Sequence, residues 1–264
     1  MLSFTRKKPS TRSPLKNQPM RIPGQSLQEE IDRKVDKFTD HAVLLGLAFF
    51  AALLEWVKWF FKAPPQPLVF SGLAALVGVF VIMKALKTRQ QLRALRQGRD
   101  GEIVIGQGLE RLRERGYRVF HDVGGNGFNI DHVLIGPTGV YSIETKTISK
   151  PPKGCCEIVY DGEKITVNGF TPDRDPIVQA RAQAHWVKGF IKEVLTKELS
   201  VQPVVLYPGW YVKAPSYGGE VWVLNPDMLP AFLKNERPLL DSRDIQAIEG
   251  CLSVYVRKSS SAKP

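Results

Sequence analysis

The chain has 264 residues, enough for one sizeable globular domain plus further segments. Hydrophobic residues make up 43%, which excludes global disorder, and a formal net charge of +11 favours polyanionic partners, nucleic acid or an anionic lipid surface. Three cysteines without a C-x-x-C pair, and four histidines (His41, His121, His132, His185) without zinc spacing, exclude a disulfide framework and a zinc module.

Residues 1–25 are rich in Pro, Ser, Lys and Arg and read as a disordered basic arm with no secretory signal. Residues 26–40 form a short amphipathic helix, with Leu27, Ile31, Val35 and Phe38 at helical spacing. Two apolar runs follow, 42–61 and 68–83, separated by a helix-breaking turn that contains Pro64, Pro65 and Pro67. Glu55 and Lys58 are costly in hydrocarbon, but they are three residues apart and able to pair across one helical turn. Nine Lys and Arg precede the first run (Arg6 through Lys37) and six follow the second (Lys84 through Arg99), with little beyond Lys62 between them. The expectation is a transmembrane hairpin with both ends cytosolic, in a bacterial inner membrane; the competing reading is a buried hairpin in a soluble protein.

An Arg-rich polar helix over 88–98 leads to an amphipathic helix over 99–115, stopped by Gly116. Strands are expected at 117–123, 129–135 and 140–146. A second hairpin, 157–160 with 164–167, turns at Asp161-Gly162. Asp175 caps a long helix to about 199, with Pro176 in its first position. Strands at 201–207 and 221–224, a short helix opened by Asn225-Pro226-Asp227 and a helix over 241–254 complete the chain. The fold class is α/β: a mixed central sheet flanked by helices, behind the two-helix hairpin. The domain divisions are 1–40, 41–87, 88–98, 99–225 and 226–264.

The chemistry concentrates on two apolar strands meeting at Gly136-Pro137-Thr138-Gly139. Charges inside a sheet are unfavourable unless paired or metal-bound, so Asp131, Glu144 and Lys146 need an explanation. A turn symmetric about Pro137-Thr138 sets Asp131 opposite Glu144, with Lys146 on the same face. A three-residue turn with a bulge at Gly139 would instead pair Asp131 with Thr145 and turn Glu144 away. Two carboxylates that close repel unless a cation lies between them, and a hard ion such as Mg²⁺ (or Mn²⁺) suits oxygen donors.

An Asp, a hairpin and then Glu-x-Lys resemble the PD-(D/E)XK nuclease superfamily. The fuller pattern resembles its nuclease-related (NERD) branch: Gly101-Glu102, Asn129-Ile130-Asp131-His132-Val133, Gly136-Pro137-x-Gly139-Val140, Ile143-Glu144-x-Lys146, and Asp175-Pro176 followed by Gln179-Ala180. Thr145 stands where many relatives have an apolar residue, and Ile130 replaces the proline of the superfamily name. The resemblance covers about residues 99–225. It implies a restriction-endonuclease-like fold, with Glu102, Asp131 and Glu144 as metal ligands, Lys146 and Gln179 as catalytic groups, and DNA or RNA as substrate. Glu102 also falls on one helical stripe with Ile105, Gly106, Leu109 and Leu112, and Gln179 on one with Gln183, Trp186 and Phe190. Arg111, Arg113, Arg115, Arg118, Lys150 and Lys153 are read as flanking the site and tracking phosphates. The alternative function is a catalytically inactive, membrane-tethered module that binds nucleic acid or protein.

Overall fold

The computed structural model describes residues 20–62, 66–151, 156–195, 198–214 and 219–261. Residues 1–19 of the basic arm, the Pro64-Pro65 turn, Lys153 and Cys155 lie outside these. Helix α1 spans Gln25–Phe60 and α2 spans Pro67–Glu110. The expected short amphipathic helix and first apolar run are thus one helix. The second run, the polar stretch and the following amphipathic helix are also one, with Gly98, Gly101, Gly106 and Gly108 inside it. Glycine weakens a helix by about 1 kcal/mol per residue, an amount that packing of the two helices against each other and the domain outweighs.

Both helices are long and apolar enough to cross a membrane, and only 11% of the apolar stretch in each is buried. Phe49, Phe60, Leu68 and Leu76 are each more than two-thirds exposed, an arrangement suited to lipid rather than water. Glu55 is buried and accepts from Lys58 Nζ (2.7 Å) and from the Gln66 N–H (3.2 Å), so the pair expected from the spacing forms.

A short 3₁₀ turn, Arg111–Arg115, ends at Gly116 with φ 85°, the left-handed stop expected there. The strands are β1 (Arg118–Gly124), β2 (Asn129–Gly136), β3 (Gly139–Thr145), β4 (Glu157–Tyr160), β5 (Ile165–Val167), β6 (Val201–Leu206), β7 (Tyr211–Lys213) and β8 (Trp222–Leu224). The remaining helices are α3 (Pro176–Leu195), α4 (Leu229–Asn235) and α5 (Ser242–Ser261). The main sheet has the order β1-β2-β3-β6-β8, antiparallel through β3 and parallel thereafter. The β4–β5 hairpin belongs to a separate three-stranded sheet completed by β7. Strand β7 is too short to carry a periodic pattern, and the sequence reading missed it.

One face of the main sheet packs on α3 and α5 through Phe120, Val133, Ile135, Val187, Ile191, Ile248 and Leu252. The other packs on the end of α2 and on α4 through Ile105, Leu109, Leu134, Tyr141, Ile143, Leu229 and Leu233. Asp175 Oδ1 accepts from the Ile177 N–H (2.8 Å), which caps α3 as expected. Asn225 and Asp241 cap the following helical segments in the same way.

The β2–β3 register is the symmetric one: His132 pairs with Ile143, Leu134 with Tyr141 and Gly136 with Gly139. Two residues, Pro137 and Thr138, make the turn, and Gly139 takes φ 134°. Gly136 lies against the Tyr117 ring, where an added Cβ would come within 2.1 Å of a ring carbon. That ring is held by its hydroxyl, 2.7 Å from Thr138 Oγ1, so it is not free to withdraw. The substitution Gly136→Ala should destabilise the protein by about 1–3 kcal/mol through overpacking. A fall of several degrees in the thermal midpoint is expected; an unchanged midpoint would show that the turn tolerates the methyl group.

Candidate functional site

The β1–β2 ladder pairs His121 with His132 and Val123 with Ile130, and it skips Asp122 and Asp131. Asp122 has φ 51°, an unusual conformation for a non-glycine residue inside a strand. The alternation slips here. Ile130 and Val123 join the same apolar cluster as Val133, Ile135 and Phe120, although strict alternation would place them on the opposite face. The irregularity releases Asp131 from the ladder and aims it at the end of the sheet, where Oδ2 accepts from the Thr145 N–H (2.7 Å).

Glu144 is buried at the end of β3. Its Oε1 accepts from Lys146 Nζ (2.6 Å) and its Oε2 from Gln183 Nε2 (2.6 Å). Lys146 Nζ also donates to Gln179 Oε1 (2.8 Å), which ties β3 to α3. Glu102 arrives from α2, which approaches closely because Gly101 lies against Thr147; an added Cβ would fall 1.7 Å from Thr147 Oγ1. Glu102, Asp131, Glu144, Lys146 and Gln179 all line one cavity of about 420 Å³. All five residues singled out from the sequence are thus brought together, and the bulged alternative at Gly139 does not occur.

Acid crowding sets the electrostatics. Burial, and then the Asp122 and Glu144 charges, push Glu102 from 4.5 up to about 8. Burial and the neighbouring Glu144 and Glu102 charges raise Asp131 well above the usual carboxylate range. Burial pushes His132 well below its ordinary value, so the His121–His132 contact (Nδ1···Nδ1 2.9 Å) joins neutral rings. Among the described residues, no three Asp, Glu, His or Cys side chains converge as a ready-made metal cluster. The donor chemistry nonetheless fits a hard cation. Glu102, Asp131 and Glu144 present only oxygen, and around Glu144 the buried Gln183 Oε1, Thr145 Oγ1 and Tyr207 Oη have no hydrogen-bond partner.

Several site residues were missed. Gln183 holds the second oxygen of Glu144; its place one turn beyond Gln179, on the buried stripe, was the available signal. Asp122 was read only as part of a strand. Its partner Arg21 was assigned to a disordered arm, yet residues 20–25 are packed on the domain. Arg21 is 6% exposed, and its Nε donates to Asp122 Oδ2 (2.6 Å), which also accepts from the Ser26 N–H (2.9 Å). Gly24 donates a backbone hydrogen bond to Glu102. The start of α1 therefore forms one wall of the cavity, contributing Ser26, Glu29, Glu30 and Arg33.

Four of the basic residues expected to flank the site, Arg111, Arg113, Arg115 and Arg118, are a correction. Arg118 pairs with Ile135, about 13 Å along β2 from Asp131 at roughly 3.3 Å per residue, and Arg111–Arg115 lies at that same far end. There Arg113 binds Glu110 and the Val119 carbonyl, and Arg118 binds Glu249. Arg33 and Arg174 line the cavity instead.

Residues 97–208 match the family model of the nuclease-related domain. The chain carries a nuclease-related domain. All five of the candidate residues fall inside the match, whereas Arg21, Ser26 and Arg33 come from the first helical arm. No curated protein and no solved structure matches the chain.

The raised pKa of Glu102 has a consequence for stability. A carboxyl group whose folded pKa lies above its unfolded value stabilises the fold below the unfolded value, and that contribution is lost as pH rises toward about 8. Metal-free Glu102→Gln should therefore match the wild type near pH 5 and show the higher thermal midpoint at pH 9. Parallel midpoint-versus-pH curves for the two proteins would contradict the burial of Glu102 among acids.

Proposed function

We propose that this chain is a membrane-anchored, metal-dependent phosphodiesterase that acts on DNA or RNA, with its nuclease-related domain and both termini in the cytosol of a bacterial cell. The observation that carries the reading is the single cavity onto which Glu102, Asp131, Glu144, Lys146 and Gln179 all open. Asp131, Glu144 and Glu102 would hold Mg²⁺ or Mn²⁺. Bound there, the ion supplies Lewis-acid polarisation of phosphate and water oxygens. Gln183 positions Glu144, and Gln179 positions the Lys146 ammonium. From there Lys146 orients the attacking water or stabilises negative charge developing on the phosphate. Arg33 and Arg174, exposed at the cavity, take the neighbouring phosphates of the strand.

A specific observation favours a second reading, a non-catalytic binding module. Both Glu144 oxygens are already engaged by Lys146 and Gln183, and a metal would have to compete with the lysine. The test uses the full chain in detergent with labelled DNA and RNA and Mg²⁺ or Mn²⁺. Asp131→Asn, Glu144→Gln and Lys146→Ala should each lower cleavage by about 10²–10³-fold, as loss of one electrostatic stabiliser does, while folding and metal-free oligonucleotide binding persist. No cleavage by the wild type decides for the module. Cleavage that survives Asp131→Asn would place the site elsewhere.

Arg33→Ala and Arg174→Ala should each reduce the slope of log binding constant against log salt by about one unit or slightly less. An unchanged slope in both variants would remove these residues from the phosphate path.

A further inference from the structure

The cavity described above does not use the groove between α1 and α2 at the point where the apolar runs end. This groove, of about 410 Å³, is lined by Val35 and Phe38 from α1 and by Ala85, Thr88, Arg89, Leu92, Arg93 and Arg96 from α2. Its floor is apolar, and no carboxylate lines it. Arg89, Arg93 and Arg96 are spaced four and three apart, so they form one stripe on the helix. Among the described residues none of the three makes an ion pair, whereas Lys34 and Arg99 nearby each do.

The groove's level relative to a bilayer follows from the rise of the helix. The second apolar run ends at Met83. Arg89 lies about 9 Å and Arg93 about 15 Å further along α2 at roughly 1.5 Å per residue. The polar layer on each side of the hydrocarbon is roughly 5–8 Å thick. Helical side chains lean toward the helix N-terminus, which for α2 means back toward the membrane. The long Arg89 and Arg93 side chains therefore reach the phosphate level from just outside it.

We propose that this groove binds an anionic phospholipid, with its phosphate on Arg89 and Arg93, Arg96 adding to the field, and its glycerol and upper acyl chain against Val35, Phe38, Ala85 and Leu92. The inference rests on α1 and α2 spanning the membrane and is independent of catalysis. Thr88 offers a hydroxyl at the same level, and the combination of apolar floor with a cationic rim matches an amphiphile better than a free anion.

The experiment is native mass spectrometry of the full chain, released from nanodiscs of equal phosphatidylglycerol and phosphatidylcholine. The wild type should retain phosphatidylglycerol in preference to phosphatidylcholine. The triple variant Arg89→Ala, Arg93→Ala, Arg96→Ala should lose that preference by about tenfold or more, since each basic residue near an anionic surface contributes several-fold. The triple lysine variant, which keeps the charge, should retain most of it and so separates charge from folding. Equal retention of the two lipids by the wild type, or unchanged selectivity in the alanine variant, would overturn the proposal. So would oligonucleotide binding that falls in the alanine variant while lipid retention does not, because the groove would then belong to the nucleic-acid path. A wild-type chain that stays soluble without detergent would overturn it through the membrane reading itself.

Discussion

Four carboxyl groups, Glu102, Asp122, Asp131 and Glu144, lie toward one end of a largely buried sheet; the Asp122 and Glu144 charges make Glu102 harder to ionise, and the Glu144 and Glu102 charges do the same to Asp131. Two cations answer this charge. Lys146 lies two residues beyond Glu144 on the same chain segment, and Arg21 comes from the segment before α1. The local departures from regular structure follow from it. The ladder slips at Asp122 and Asp131, Gln183 is buried to satisfy Glu144, and α2 comes close enough at Gly101 to add a further acid to the cluster. The strained backbone at Asp122 and the like charges beside it support the site proposed above.

The same crowding joins the two long apolar helices to the domain. Helix α2 runs without a break from its apolar half to Glu102 and on to the core residues Ile105 and Leu109. Helix α1 enters the cavity wall with Ser26 and Arg33, and Arg99 on α2 donates to Gln28 on α1 (2.5 Å). The candidate site is therefore built on the two helices as much as on the sheet. In the proposed function, substrate would approach close to the membrane surface and pass between the arm of α1 and the loop that carries Arg174.

Local chemistry made much of this legible in the sequence. The Gly136-to-Gly139 turn fixed the register that brings Asp131 and Glu144 to the same cavity, and the apolar stripe through Ile105 and Leu109 fixed the inward face of Glu102. What escaped was non-local. Arg21 and Asp122 are 101 residues apart, and no pattern around either one announces the other. The basic run over residues 111–118 looked like a phosphate path because it is near Glu102 in sequence; the length of α2 and β2 carries it to the opposite end of the sheet. The helix boundaries expected at residues 41, 88 and 99 rested on composition changes and glycines, and the backbone hydrogen bonds run through all of them.

The central proposal is that Glu102, Asp131 and Glu144 form one divalent-cation site. The most direct measurement is calorimetric titration of Mn²⁺ into the full chain at neutral pH, beside Asp131→Asn and Glu144→Gln. The account predicts saturable binding with release of protons, because Glu102 and Asp131 hold protons more tightly than ordinary carboxyl groups, and loss of that binding in both variants. Absence of binding in the wild type, or binding that both variants retain unchanged, would contradict it.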